Sequence, residues 1–319
     1  MAPHYGFDQQ VKYPYNFWDW FVCRKGFEDG IRYKGYYEFD KSEVIEDFSE
    51  WRKVKRRTDI SSNIPPFCVD ALSHTPHILK QNDLYLVPTG NRTCIIFDGS
   101  KYPYPHIRVY EVYRYAQDLQ IRNRNRNKNI LEAFRTQWNE QSFIKALHYC
   151  GAFGSLVKEL TDVKHYDLGP SGQIKLRFPF WMKSKNAKLR AFNFEGMVDL
   201  DACVYPSGTD IVMPIEAKLE HFGDLAWHKL AFPCYRFIKQ ATALSIRTQR
   251  IGYNQRKIRI VPVYCALNSS LEAIIYVFSK IKIHKDKDHF EQMNGIILND
   301  ENQLYPKKAF KIDLNWIWR

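Results

Sequence analysis

The sequence predicts an α/β chain, α+β overall, in which a mixed sheet flanked by helices follows an N-terminal helical, winged-helix-like domain. Three observations carry that expectation. Apolar residues between Gln173 and Phe278 recur in strand-type runs broken by turn residues. The stretch ahead of them, Ile130 to Leu160, has helical spacing. Between the halves, the run from Ile121 to Asn129 alternates cations with amides and has no apolar residue after Ile121, which reads as an exposed linker. The 319 residues suit two domains at about 150 residues each, placed here at 1–128 and 129–319.

Charged residues make up 26% and hydrophobic residues 45%, which excludes a disordered, collagen-like or coiled-coil chain. Forty-seven Lys plus Arg against 35 Asp plus Glu leave a net charge of +12, so a polyanion is the expected partner, with nucleic acid ahead of an anionic membrane surface. No apolar run approaches the ~20 residues of a spanning helix, and Met1 to Gln10 lacks a signal-peptide hydrophobic region, so a cytoplasmic protein without a membrane partner is expected. The seven cysteines are odd in number and scattered, with no CxxC pair, and indicate neither a zinc site nor a disulfide framework. Asn91-Arg92-Thr93 is a formal glycosylation sequon that reads more simply as a turn.

The first forty residues are dense in aromatics, from Tyr5 to Phe39, and have two readings: a base-stacking platform, or an arm packed on the core. Val44, Phe48 and Trp51 then recur at helical spacing behind Asp40 or Ser42 as caps, and a second short helix is expected through Val69 to Leu72. Leu84 to Val87 and Thr93 to Phe97 are strand-type runs around the turn residues Pro88-Thr89-Gly90-Asn91, which predicts a hairpin. Helices followed by a hairpin suit a DNA-recognition unit.

In the second half the expected order is a helix from Ile130 to His148, resumed over Phe153 to Leu160, and strands at 173–181, 192–205 and 210–219. A helix at 236–246 and strands at 258–266 and 273–278 complete it. The hairpin 192–219 is the informative part. Even positions from Phe192 to Val204 and odd positions from Ile211 to Leu219 are mostly apolar, so each strand has one core face. Centring the turn on Ser207-Gly208 sets Val198 opposite Ala217 and Asp199 opposite Glu216, with β-carbons ~4.5–5.5 Å apart. Slipping by two residues would bring Asp201 opposite Glu216 instead, which makes Asp201 the second choice. Pro214, which lacks an N–H, suggests an edge position or a bulge.

Lys218 points to the same face two residues beyond Glu216. Adjacent carboxylates repel unless one is protonated or a cation lies between them, and hard oxygen ligands with room for water suit Mg²⁺. Such an ion polarises a phosphoryl oxygen and acidifies bound water, while Lys218 orients or deprotonates that water and offsets developing charge. The bare acid-x-Lys triplet occurs also at Asp162-Val163-Lys164, so weight rests on its conjunction with an apolar strand and an opposed acid.

These residues resemble the PD-(D/E)XK nuclease superfamily, and the half from Ile130 to Phe278 looks like a type II restriction endonuclease: Val198-Asp199-Leu200 followed by Ile215-Glu216-Ala217-Lys218 is similar to its metal-binding Asp and E-x-K strand. The resemblance implies a mixed-sheet nuclease core in which Asp199 and Glu216 ligate Mg²⁺, the Ala217 carbonyl assists and Lys218 serves the nucleophilic water. It implies cleavage of double-stranded DNA at a specific sequence, with repair nuclease and inert binder as rivals. Val198 stands where the family has Pro, and the family's extra Glu matches only Glu140, loosely. Cutting both strands needs two sites, so a homodimer is expected.

Lys183, Lys185, Lys188 and Arg190 ahead of the Asp strand are candidate phosphate contacts, and Asn254, Gln255 and Arg256 candidate base readers. His221 and His228 lie beyond Lys218 at helix-like spacing without an HExxH carboxylate, which suggests surface or supporting roles.

Overall fold

Side-chain parity organises the molecule, because successive strand residues face opposite layers. The computed structural model describes residues 14, 16–59, 67, 70–121, 139–169, 171–221, 223–249, 258–285 and 294–315. Within these, mixed α and β content forms three sheets, an α+β fold.

The N-terminal elements are α1 (Phe17–Val22), β1 (Tyr36–Asp40), α2 (Lys41–Val54), α3 (His77–Gln81), β2 (Leu84–Pro88) and β3 (Thr93–Asp98). Helix α2 begins where expected because Asp40 Oδ1 accepts from the Ser42 N–H at 2.7 Å, satisfying a first-turn amide, and it buries Val44 and Phe48. The short helix expected at 69–72 lies further on, as a tight turn over Leu72–His74 and then α3. Pro76 disfavours helical backbone at the residue before it, so α3 starts only after that proline.

The predicted hairpin forms, and β1 adds to β3, giving the antiparallel order β1-β3-β2. Both of its faces are covered. Leu84, Leu86, Cys94 and Ile96 meet an aromatic cluster with Phe17, Trp18, Trp20, Phe21 and Phe27, while Tyr85, Val87, Ile95 and Phe97 join the core of the second half. The hairpin is therefore no exposed wing. Phe17, Trp18, Trp20, Phe21, Phe27 and Phe39 are packed core, with Phe17 edge-on to Phe48 at 5.1 Å, so the stacking-platform reading fails for these residues, whereas Tyr33 is exposed. Tyr5, Phe7, Tyr13 and Tyr15 lie outside the described residues.

The second half comprises β4 (Gln117–Asp118), α4 (Glu140–Tyr149), α5 (Ala152–Thr161), β5 (Tyr166–Gly169), β6 (Gly172–Lys183), β7 (Leu189–Leu200), β8 (Ala202–Pro206) and β9 (Ile211–Lys218). It continues with α6 (His228–Gln249), β10 (Arg259–Ile260), β11 (Val263–Leu267), β12 (Glu272–Phe278), β13 (Ile283–Lys285), β14 (Asn294–Ile297) and β15 (Pro306–Asp313). An eight-stranded mixed sheet runs β4-β15-β12-β11-β9-β8-β5, with β10 also on β9; a second sheet runs β13-β14-β6-β7. On β9, Ile211, Met213, Ile215 and Ala217 pack with Phe143, Leu147 and Phe153 of α4 and α5. Val212 faces the other layer, with Phe178, Phe194 and Phe232 of β6, β7 and α6. Glu216 and Lys218 share the parity of Val212 and so look into that second layer.

Three expectations change. The single strand over 192–205 is two strands in different sheets, broken at Asp201, because the chain crosses there from one sheet to the other while its apolar parity continues. The helix expected at 236–246 begins at His228 and carries Pro233 near its start. Pro214 is on a central strand, not an edge: its parallel neighbour is itself split into β10 and β11 around Val261-Pro262, so the ladder is already interrupted beside it. Ile107 and Val109 share a core with Tyr85 and Phe97 as well as with Phe178 and Phe232, Leu119 and Ile121 lie in the other core, and β4 pairs with β15.

Candidate active site

Two acids and a lysine meet where β7 ends and β8 begins. The β8–β9 ladder pairs Ala202 with Ile215, Cys203 with Pro214 and Val204 with Met213. That is two residues away from the register expected for Asp199, and the cause is in the turn. The Thr209 hydroxyl donates to the Pro206 carbonyl at 2.9 Å and accepts from the Ile211 N–H at 3.2 Å, so Thr209 and Asp210 belong to a longer loop rather than to the strand. Asp199 consequently pairs across with Gln173 of β6, and its side chain is exposed. Asp201, the second choice, is the acid brought beside Glu216: its Oδ2 accepts from the Ala217 N–H at 2.8 Å. Ala217 thus joins the site through its N–H.

Lys218 Nζ donates to Glu140 Oε1 at 2.8 Å and lies 3.0 Å from Glu216 Oε1. Glu140 is placed by a capping box at the start of α4: the Ser142 N–H donates to Asn139 Oδ1 and the Asn139 N–H to Ser142 Oγ, each at 2.8 Å. Glu140 is thus brought into contact with Lys218.

A cavity of ≈ 450 Å³ is lined by Glu140, Asp199, Asp201, Glu216 and Lys218, together with Lys41, Asn91, His228 and Lys229. Burial, reinforced by Asp201, pushes the Glu216 carboxyl up to about 8 against the pull of Lys218 and Lys229. Burial also raises Asp201, opposed by the Ala217 N–H and Lys218. For Lys218, burial acts downward but Glu216 and Glu140 outweigh it and hold the ammonium well above its ordinary range. The cluster carries more carboxylates than its lysine neutralises, and a proton or a cation resolves that imbalance. Among the described residues no three His, Cys, Asp or Glu side chains converge as a metal-holding group.

Other candidates sit elsewhere. Lys183 begins the far end of the β6–β7 hairpin, Lys185 and Lys188 lie in its exposed turn, and Arg190 stacks over Tyr36 at 4.5 Å. The ten residue steps from Leu189 to Asp199 along the strand place this group ~33 Å from the acids. Asn254, Gln255 and Arg256 lie outside the described residues. His221 hydrogen-bonds the Tyr276 hydroxyl and does not line the cavity, whereas His228 is 3% exposed and does, which corrects a surface reading of it. Residues that sequence reasoning missed are Lys41, Asn91 and Lys229. Lys41 Nζ donates to the Gly90 carbonyl at 2.9 Å, and Asn91 Oδ1 accepts from the Met197 N–H at 2.9 Å, contacts between distant segments that leave no local signal.

No family model, curated protein or solved structure matches this chain. Among the described residues no helix is long and apolar enough to cross a membrane.

Proposed function

We propose that the chain is a Mg²⁺-dependent phosphodiester hydrolase of the PD-(D/E)XK kind that cuts double-stranded DNA at a specific sequence, as type II restriction endonucleases do. The observation that carries this reading is the juxtaposition of Asp201, at the break between β7 and β8, and Glu216 of β9 with Lys218 clasped between Glu216 and Glu140. The donor set fits Mg²⁺: hard carboxylate oxygens bear excess negative charge at a cavity with room for the waters this ion keeps. Asp201 and Glu216 would hold it, aided by the Ala217 carbonyl as the family resemblance implies. When bound it would supply Lewis-acid polarisation of the phosphate and a bound water of lowered pKa.

The protein groups do the rest. Lys218, held between Glu140 and Glu216, orients the attacking water and offsets charge on the phosphate. Glu140 holds the Lys218 ammonium in place. Asp199, at the exposed side of the cavity, adds negative charge near Asp201. The basic group around Lys183 to Arg190 meets phosphates about one duplex turn away, and a homodimer presents two such sites to the two strands.

Incubating the protein and its Lys218→Ala variant with unmethylated phage DNA in Mg²⁺ or EDTA tests this on a gel. Discrete bands that need Mg²⁺ and disappear in the variant are expected. A smear would move the reading to a repair or exonuclease activity, and intact DNA in every lane to a binding protein without catalysis.

A further inference from the structure

The first turn of α6 shares the cavity with the acids but differs from them in character. It has no acidic residue, and both His228 and Lys229 line the cavity. His228 is 3% exposed, yet neither Nδ1 nor Nε2 has a hydrogen-bond partner. Buried polar groups are almost always paired, so two unpaired nitrogens on a residue that lines the cavity call for a partner from outside the chain. Its ring packs against Phe232 at 5.7 Å, and Lys229 Nζ is anchored 2.6 Å from Asp70.

The class of ligand follows from charge and from what the backbone has already used. The Lys229 and Leu230 N–H groups donate to the Ala226 and Trp227 carbonyls, so these two amides are already engaged and the side chains of His228 and Lys229 face the cavity's ligand. Burial first, then the Lys229 charge, lower the His228 pKa to about 3, which leaves a neutral imidazole with one N–H donor and one acceptor and no proton to give as an acid. Carboxylates on the other elements repel a phosphodiester, and Lys229 and the helix dipole favour one.

We propose that His228, beside the Lys229 ammonium, contacts the substrate: its ring N–H donates to a non-bridging oxygen of the phosphodiester seated among Asp201, Glu216 and Lys218. This rests on the nuclease reading and adds to it the side of the cavity that receives the phosphate.

Three quantities test it in wild type, His228→Phe and His228→Gln: the thermal midpoint, anisotropy binding of a labelled duplex fragment of phage DNA in Ca²⁺, and single-turnover cleavage in Mg²⁺. His228→Phe keeps a ring and removes two unpaired nitrogens, so it should unfold at or above the wild-type temperature. It should bind about tenfold more weakly and cut ~10²–10³-fold more slowly, the usual effect of losing one phosphate-directed donor. His228→Gln, which restores an N–H, should recover about tenfold of that rate. His228→Leu replaces His228→Phe if the larger ring is not accommodated. Binding and cleavage by the apolar variant within about threefold of wild type overturn the proposal. If wild type binds duplex without cutting it, the nuclease reading fails and the binding comparison alone decides: a tenfold loss sustains the phosphate contact, and no loss overturns it. Wild type that neither binds nor cuts overturns both.

Discussion

Glu216 is buried among groups of both signs, and its proton becomes a stability term. Its carboxyl is raised from the ordinary 4.5 to about 8, so the folded protein holds that proton more tightly than the unfolded chain does. The stabilisation is complete below pH ~4.5 and is lost as pH rises through about 8. The metal-free protein should therefore show a thermal midpoint that declines from pH 5 to 8 in this component, and Glu216→Gln should flatten the decline. Adding Mg²⁺ should raise the midpoint more at pH 8 than at pH 6, because the ion competes with the proton for the same oxygens. Calorimetric melts at both pH values check all three. At this scale strand parity alone put Glu216, Lys218 and both Asp199 and Asp201 forward as candidates, with a choice left between the two Asp residues. The choice itself was not legible, because the Thr209 hydroxyl extends the turn and parity is blind to a shift of two.

At the scale of elements, the crossing at Asp201 and the docking of the β2–β3 turn on β7 shape the cavity. The Glu195 N–H donates to the Thr89 carbonyl and the Asn91 N–H to the Glu195 carbonyl, so this turn adds to the edge of β7 just above the acids. Only glycine fits there, since a Cβ on Gly90 would stand 2.2 Å from the Glu195 carbonyl oxygen. Gly90→Val should destabilise the protein by ~1–3 kcal/mol, the usual range for forced overpacking. Urea unfolding measures that loss, and cleavage should fall with it as Lys41 and Asn91 lose their places at the cavity. Asn91→Ala, which leaves the Met197 N–H without its acceptor, should cost about 1 kcal/mol. Several elements of the second half were readable because β7 alternates strictly and β11 and β12 are continuous apolar runs, and α2 because its cap and spacing agree. The division of 192–205 was hidden because Leu200 and Ala202 are both apolar at even positions although they face different cores. Strands such as β5 and β14 were missed: β5 is short and only partly buried, and β14 adjoins residues with no alternating pattern.

At the scale of the whole molecule, the N-terminal sheet is part of the structure that supports the site. Tyr85, Val87, Ile95 and Phe97 bury one face of it in the same core as Phe178, Phe194 and Phe232. A fragment spanning 129–319 should thus not fold as a soluble monomer by itself, and co-expression with 1–128 should recover it, as read by size-exclusion chromatography and circular dichroism. The net charge of +12 was plain from composition and predicts duplex binding that weakens steeply between 50 and 200 mM salt, by ~10³-fold if six or more phosphates are contacted. What composition could not convey is that Phe17, Trp18, Trp20, Phe21 and Phe27 serve the core, since burial is a property of the folded chain. The measurement that reaches the central claim most directly is single-turnover cleavage of phage DNA in Mg²⁺ by wild type, Asp201→Asn and Asp199→Asn. Asn at 201 keeps an acceptor for the Ala217 N–H while removing the charge. Asp201→Asn should lower the rate by ~10²-fold or more, and Asp199→Asn should stay within about tenfold of wild type; cleavage by Asp201→Asn at the wild-type rate would contradict the account.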